Sequence, residues 1–133
     1  MNPLNQKEPP SKPGRKHIMI VDDDEEIRNL LRIRLEAEGF SVSMVEDGDK
    51  AVEAVQKQEP DLVIMDVMMP NLDGITTLKQ MNQMRKEKIP VVIVTGSSIV
   101  WEDEFRMEGA RAFMRKPFDS NQLARHVKEI LKA

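Results

Sequence analysis

Four apolar runs in this chain each end on a side chain that could do chemistry. Asp22-Asp23-Asp24-Glu25-Glu26 packs five carboxylates directly behind the run His17-Ile18-Met19-Ile20-Val21. Asp66 ends a second run, Asp61-Leu62-Val63-Ile64-Met65-Asp66, and a Pro/Asn/Gly-containing loop follows through Gly74. Thr95 closes Pro90-Val91-Val92-Ile93-Val94-Thr95 before Gly96, and Lys116 follows Arg111-Ala112-Phe113-Met114-Arg115 before Pro117-Phe118. Each has an ordinary reading. The aspartates could cap a helix, with Glu26 completing a capping box; Thr95 suits a strand; Lys116 suits a surface. One cap needs one side chain, however, not three. Two carboxylates ~4 Å apart repel by about 4 kcal/mol at a surface-like dielectric, and a divalent cation removes that cost. Mg²⁺ fits, as it takes hard oxygen ligands and keeps several waters; an EF-hand calcium loop lacks its turn glycine here. A carboxylate nucleophile beside a divalent metal, a lysine and a hydroxyl donor is equipped to form an aspartyl-phosphate.

These positions meet only if the chain folds so that strand ends share an edge. Short apolar runs alternate with helical patterns: Ile27, Leu30, Leu31 and Leu35 before Gly39; Ala51, Val52 and Val55 before Pro60; Ile75, Leu78 and Met81 after Asp73-Gly74. A weaker helical pattern runs from Ile99 to Glu108, closed by Gly109, and a last helix from Asp119 carries Leu123, Val127, Ile130 and Leu131. Phe40 to Val45 reads as the second strand. Five strands alternating with five helices predict an α/β fold, a three-layer α/β/α doubly wound parallel sheet with right-handed crossovers. Such sheets carry their chemistry at the C-terminal edge, where all four candidate positions then lie.

The totals bound the function. A length of 133 residues suits one domain, with a core large enough to need no staples. There is no Cys, hence no disulfide or thiolate metal site. No apolar run approaches a membrane span and no signal-peptide core is visible, so a cytoplasmic, soluble protein is expected. Residues 1–15 hold four of the eight prolines and read as a disordered tail, leaving 16–133 as the domain. Residues 1–16 carry four basic and one acidic residue, so the remainder carries sixteen and twenty-two, +3 against −6. An acidic body argues against direct nucleic-acid binding. His17 and His126 form no evident cluster and read as structural or solvent-facing.

From residue 16 onward the chain resembles the receiver domain of two-component response regulators. The resemblance rests on Ile20-Val21-Asp22-Asp23-Asp24, Asp61 to Asp66, Met69-Pro70-Asn71-Leu72-Asp73-Gly74, Val94-Thr95-Gly96, Gly109-Ala110 and Lys116-Pro117-Phe118, in order and at matching spacing. It implies a flavodoxin-like sheet of order 2-1-3-4-5. It implies Asp66 as phosphoacceptor and Mg²⁺ as cofactor. Asp23 and Asp66 would be direct ligands, Asp22 would act mainly through water, and the Met68 backbone carbonyl would be a further ligand. Thr95 and Lys116 would contact the phosphoryl oxygens, Phe113 would be the aromatic switch coupled to Thr95, and the Lys116-Pro117 bond would be cis. The implied partners are a sensor histidine kinase or phosphotransfer protein and a downstream protein target, with no membrane contact and a monomer or phosphorylation-dependent dimer. The chain departs from the family at Gly96, where Ala is commoner, in a slightly short stretch from Thr95 to Gly109, and in Trp101. Met68 and Ser97 stand where the family tunes dephosphorylation.

Two rivals remain open to test. A haloacid-dehalogenase-type phosphatase also uses an aspartate after its first strand, but Glu stands where its signature, two residues after the second Asp, wants Thr or Val. A binding module that is never phosphorylated would be expected to lack a site residue, whereas Asp22, Asp23, Asp66, Thr95 and Lys116 are all present.

Overall fold

The computed structural model describes residues 14–67, 73–83, 85–96 and 102–132. Its five strands are β1 (His17–Val21), β2 (Ser41–Val45), β3 (Leu62–Met65), β4 (Val91–Thr95) and β5 (Ala110–Arg115). Between and after them come α1 (Glu25–Ala37), α2 (Gly48–Gln58), α3 (Gly74–Asn82), α4 (Glu102–Met107) and α5 (Ser120–Leu131). The sheet order is β2-β1-β3-β4-β5 and every pair is parallel. The three inner strands are buried throughout, as a parallel sheet covered on both faces requires. The edge strands are partly exposed. The three-layer, doubly wound expectation and its strand order both hold.

Side chains along each inner strand divide by parity. Met19, Val21, Val63, Met65, Val91 and Ile93 join α2, α3 and α4, while Ile18, Ile20, Leu62, Ile64, Val92 and Val94 join α1 and α5. Burying each such side chain contributes about 1.5–3 kcal/mol, so both half-cores are needed to hold the sheet against its helices. On α1, Leu31 and Leu35 lie one turn apart and wholly buried; Leu35→Ala would cost roughly 2–5 kcal/mol.

Local chemistry sets the element ends. Asp24, Asp47, Asp73 and Asp119 cap α1, α2, α3 and α5, each side chain accepting from one or two first-turn N–H groups. Glu26 is the second helical residue of α1, one short of the position that closes a capping box, so Asp24 caps alone. Gly109 (φ +112°) ends the α4 turn, where a Cβ would sit 2.3 Å from the Ile89 carbonyl oxygen. β2 begins at Ser41 and not Phe40, whose ring is buried against the α1 side of the sheet. α4 is described from Glu102, so the expected start at Ile99 and the environment of Trp101 lie outside the described residues.

The pairing of β5 with β4 is irregular. Val91 pairs with Ala110, but Val92 pairs with Ala112, so Arg111 is an extra residue in β5. This bulge reverses the parity of the strand. Ala110 and Phe113 therefore both face α4, while Ala112 and Met114 face α5.

His17 is buried at the opposite, N-terminal edge. Its ring nitrogens lie 2.6 Å from Ser41 Oγ, 3.0 Å from Ser43 Oγ and 3.3 Å from Gln58 Oε1. Its backbone N–H donates to Asp61 Oδ2 at 2.8 Å. The ring is a satisfied structural group joining β1, β2 and α2, at the far end of the strand from Asp22.

Candidate functional site

The backbone ladder continues past the strand ends and carries the acidic residues into register. Asp66 N–H donates to the Val21 carbonyl at 2.9 Å, Asp22 N–H to Val45 at 3.2 Å, and Lys116 N–H to Thr95 at 2.9 Å. Asp66 is thereby set beside Asp22, and Lys116 beside Thr95. Met65 pairs with Ile93, so Asp66 and Thr95 leave neighbouring strands at nearly the same height. The Lys116–Pro117 peptide bond is cis.

The Lys116 ammonium joins the parts. Its Nζ lies 2.8 Å from Asp22 Oδ2 and 2.9 Å from Asp66 Oδ2, with Asp22 and Asp66 buried and Asp23 exposed. Asp22 is fixed twice more. Its Oδ1 accepts from Asp24 N–H at 2.9 Å, and its carbonyl accepts from Arg28 Nη1 at 2.7 Å. The three aspartates of the run therefore separate into two roles. Asp24 turns away to cap α1, while Asp22 and Asp23 stay with Asp66.

Burial pushes the Asp22 carboxyl above the ordinary carboxylate range, and the Lys116 ammonium and Asp24 N–H offset this only in part. Burial works to lower the Lys116 ammonium, but its bonds to Asp22 and Asp66 outweigh burial and hold it above the ordinary lysine value. The two shifts differ in origin: burial dominates at Asp22, and the bonds to the two carboxylates together dominate at Lys116.

Asp22, Asp23 and Asp66 each offer a carboxylate oxygen, all within 4.8 Å of one another. Three carboxylates against one ammonium leave two negative charges, which a divalent cation would balance. The hard oxygen donors suit Mg²⁺, and exposed Asp23 leaves one side open to the waters that Mg²⁺ retains. The Met68 carbonyl named as a further ligand lies outside the described residues, as does Ser97. Beyond Asp66 the loop is clasped where it returns: Gly74 N–H donates to the Val67 carbonyl at 3.1 Å, and a Cβ on Gly74 would lie 2.7 Å from Val67 Cα. Only glycine allows α3 to begin so close to the residue after Asp66.

Thr95 is wholly buried at the end of β4, and Phe113 is half-buried on the next strand, paired with Ile93. The Arg106 guanidinium of α4 lies over the Phe113 ring, 4.7 Å from its centroid. Arg28 and Arg106 carry no sequence signal. Each acts across an element boundary that only the folded packing creates.

Comparison with known proteins agrees with this geometry. The family model for the response regulator receiver domain matches residues 18–128. The alkaline phosphatase synthesis transcriptional regulatory protein PhoP of Bacillus subtilis (strain 168) is 37% identical over 118 residues, covering 88% of this chain and 49% of that protein. The chain thus spans about half the length of the curated relatives it matches. Among solved structures, a CheY-like response regulator receiver domain protein from Methanospirillum hungatei JF-1 superposes with a TM-score of 0.83 at 26% identity, covering 90% of this chain and 95% of that one. The receiver domain of the sensor histidine kinase PA1611 from Pseudomonas aeruginosa PAO1 shares the fold with a TM-score of 0.78 at 23% identity, covering 90% of this chain and 100% of that one. That domain was solved with a magnesium ion coordinated in its active-site cleft. By fold, site and family match together, the chain belongs to the response regulator receiver domain family of two-component systems.

Proposed function

We propose that residues 16–133 form a phosphorylation-controlled signalling switch in which Asp66 accepts a phosphoryl group from the phosphohistidine of a sensor histidine kinase or phosphotransfer protein. The observation that carries this reading is Lys116 Nζ held between the Asp22 and Asp66 carboxylates, with Asp23 beside them. An oxygen of Asp66 attacks phosphorus; the new P–O bond forms as the P–N bond to the donor imidazole breaks. The imidazole nitrogen keeps the bonding electron pair and takes up a proton. Lys116, already in contact with Asp66, and the Thr95 hydroxyl receive the phosphoryl oxygens. Mg²⁺ would be held by Asp22, Asp23 and Asp66, with the Met68 carbonyl as a further ligand, and when bound would neutralise charge on the transferring group. Attack of water on phosphorus forms a new P–O bond as the bond from phosphorus to the Asp66 oxygen breaks, which returns the carboxylate and releases inorganic phosphate and a proton. The chain turns over only its own phosphoryl group, as a switch and not as an enzyme serving a substrate.

Phosphorylation adds close to two negative charges and three acceptor oxygens at Asp66. Thr95 is drawn toward them, Phe113 moves into the space released, and the face of α4, β5 and α5 changes for a downstream protein partner. Two sites are coupled through two states, which is what allostery requires. Among the described residues no helix is long and apolar enough to cross a membrane. A cytoplasmic location fits a phosphohistidine donor. The acidic body, −6 over residues 17–133, favours a protein target over direct nucleic-acid contact.

Intact-mass measurement after incubation with acetyl phosphate and Mg²⁺ tests the reading. One phosphate per chain, absent in Asp66→Ala, is expected; an adduct that survives the substitution contradicts it.

A further inference from the structure

The short helix α4 turns the side chains of Glu104, Phe105 and Arg106 toward neighbouring elements. Glu104 meets Lys79 of α3 at 3.0 Å, Phe105 enters the core, and Glu108, just past the helix, accepts from Asn82 Nδ2 through its carbonyl at 2.8 Å and its carboxylate at 3.1 Å. Arg106 faces β5 instead. Its guanidinium lies over the Phe113 ring at 4.7 Å while its Nη2 stays 3.8 Å from Glu102 Oε1 within the helix. The bulge at Arg111 makes this meeting possible, since an unbroken β5 would turn Phe113 to the α5 face.

We propose that Arg106 is a latch on the switch: by stacking on Phe113 it holds the ring in its unphosphorylated position, so that α4 carries a brake on activation. Arg106 is a positioning residue and touches no reacting atom. The proposal rests on the phosphorylation reading above and names its regulation. A guanidinium over an aromatic face attracts its quadrupole, more modestly at an exposed site such as this than at a buried one. If the contact exists only in the unphosphorylated state, its whole strength is differential and shifts the two-state equilibrium.

The test is calorimetric titration of beryllofluoride, a phosphoryl mimic, into the full chain with saturating Mg²⁺. Arg106→Gln removes the cation and keeps a polar side chain; it is expected to bind beryllofluoride about two- to five-fold more tightly than wild type. Arg106→Lys, which keeps the charge, is expected to fall between. In a Phe113→Leu background Arg106→Gln is expected to change nothing, because the ring is already gone and the substitution then removes only the Glu102 pair. An unchanged or weakened affinity in Arg106→Gln overturns the latch, as does an equal gain in the Phe113→Leu background. Absence of any beryllofluoride binding by wild type strikes instead at the phosphorylation reading, so the two failures are distinguishable.

Discussion

Replacing Lys116 with Met keeps the stem that lines the site and removes the ammonium. Asp22 and Asp66 are 3% and 6% exposed and share that ammonium at 2.8 and 2.9 Å. Without it, carboxylate oxygens no more than 4.8 Å apart repel by about 3–4 kcal/mol at an effective dielectric near 20. Removing one partner of a buried pair costs roughly 3–5 kcal/mol, and this site is partly open through Asp23. The expected loss is therefore about 2–4 kcal/mol, a large share of the 5–15 kcal/mol that holds a domain together. The assay is urea unfolding followed by circular dichroism, first in EDTA and then with excess magnesium chloride. Mg²⁺ held by the native carboxylates, as proposed, would add stability by mass action, and more where the lysine no longer competes for the same oxygens. The gap between variant and wild type should narrow in Mg²⁺. Equal stability in EDTA, or a gap that Mg²⁺ leaves unchanged, would refute carboxylate crowding as the organising force of the site.

Further predictions come from the same contacts. Asp22 has a folded pKa above its unfolded value, so its contribution is complete below the unfolded pKa and is lost as pH rises through the folded one. Asp22→Asn should accordingly raise stability in EDTA at neutral pH and flatten its fall with rising pH across the weakly acidic range, while weakening Mg²⁺ binding; a less stable variant in EDTA would contradict the sign. Asp24→Ala removes the cap that accepts from Glu26 and Ile27 N–H and should cost about 1 kcal/mol in urea unfolding, with Mg²⁺ affinity kept. A large loss of metal affinity there would show that the division of labour within the aspartate run is wrong. Gly74→Ala brings a Cβ to 2.7 Å from Val67 Cα, so either α3 or the segment after Asp66 must shift, at about 1–3 kcal/mol. Labelling of that variant by acetyl phosphate should slow, and a wild-type rate would show that the clasp does not position Asp66.

Much of the fold and the site is legible in the residues, for physical reasons. Inner strands buried on both faces leave unbroken apolar runs, so His17–Val21, Leu62–Met65 and Val91–Thr95 announce themselves, and their parallel order brings Asp22, Asp66, Thr95 and Lys116 to one edge. The run Asp22-Asp23-Asp24 is different: three identical side chains carry no mark of which one caps. Only the turn into α1, with Asp24 accepting from two amides, separates cap from cluster. The bulge in β5 is equally silent, because Ala110-Arg111-Ala112-Phe113 reads as a strand in either register, yet it decides which helix Phe113 meets. Long-range pairs follow the same rule. Lys128 bonds Glu38 across α5 and α1, and Lys79 bonds Glu104 across α3 and α4, through packing that no local pattern encodes. Between the structural and solvent-facing readings of His17, burial among Ser41, Ser43 and Gln58 selects the first. The Pro-rich residues expected as a tail lie, through Pro13, outside the described part of the chain.

One carboxylate among several is proposed to take the phosphoryl group, and chemical mapping addresses that choice directly. After reaction with acetyl phosphate and Mg²⁺, borohydride reduces an aspartyl-phosphate to homoserine, which tandem mass spectrometry locates. A single homoserine at position 66 is predicted, and none when Mg²⁺ is withheld by EDTA or Lys116 is replaced by Met. Homoserine at position 22 or 23, or none in the wild-type protein, would contradict Asp66 as the phosphoacceptor.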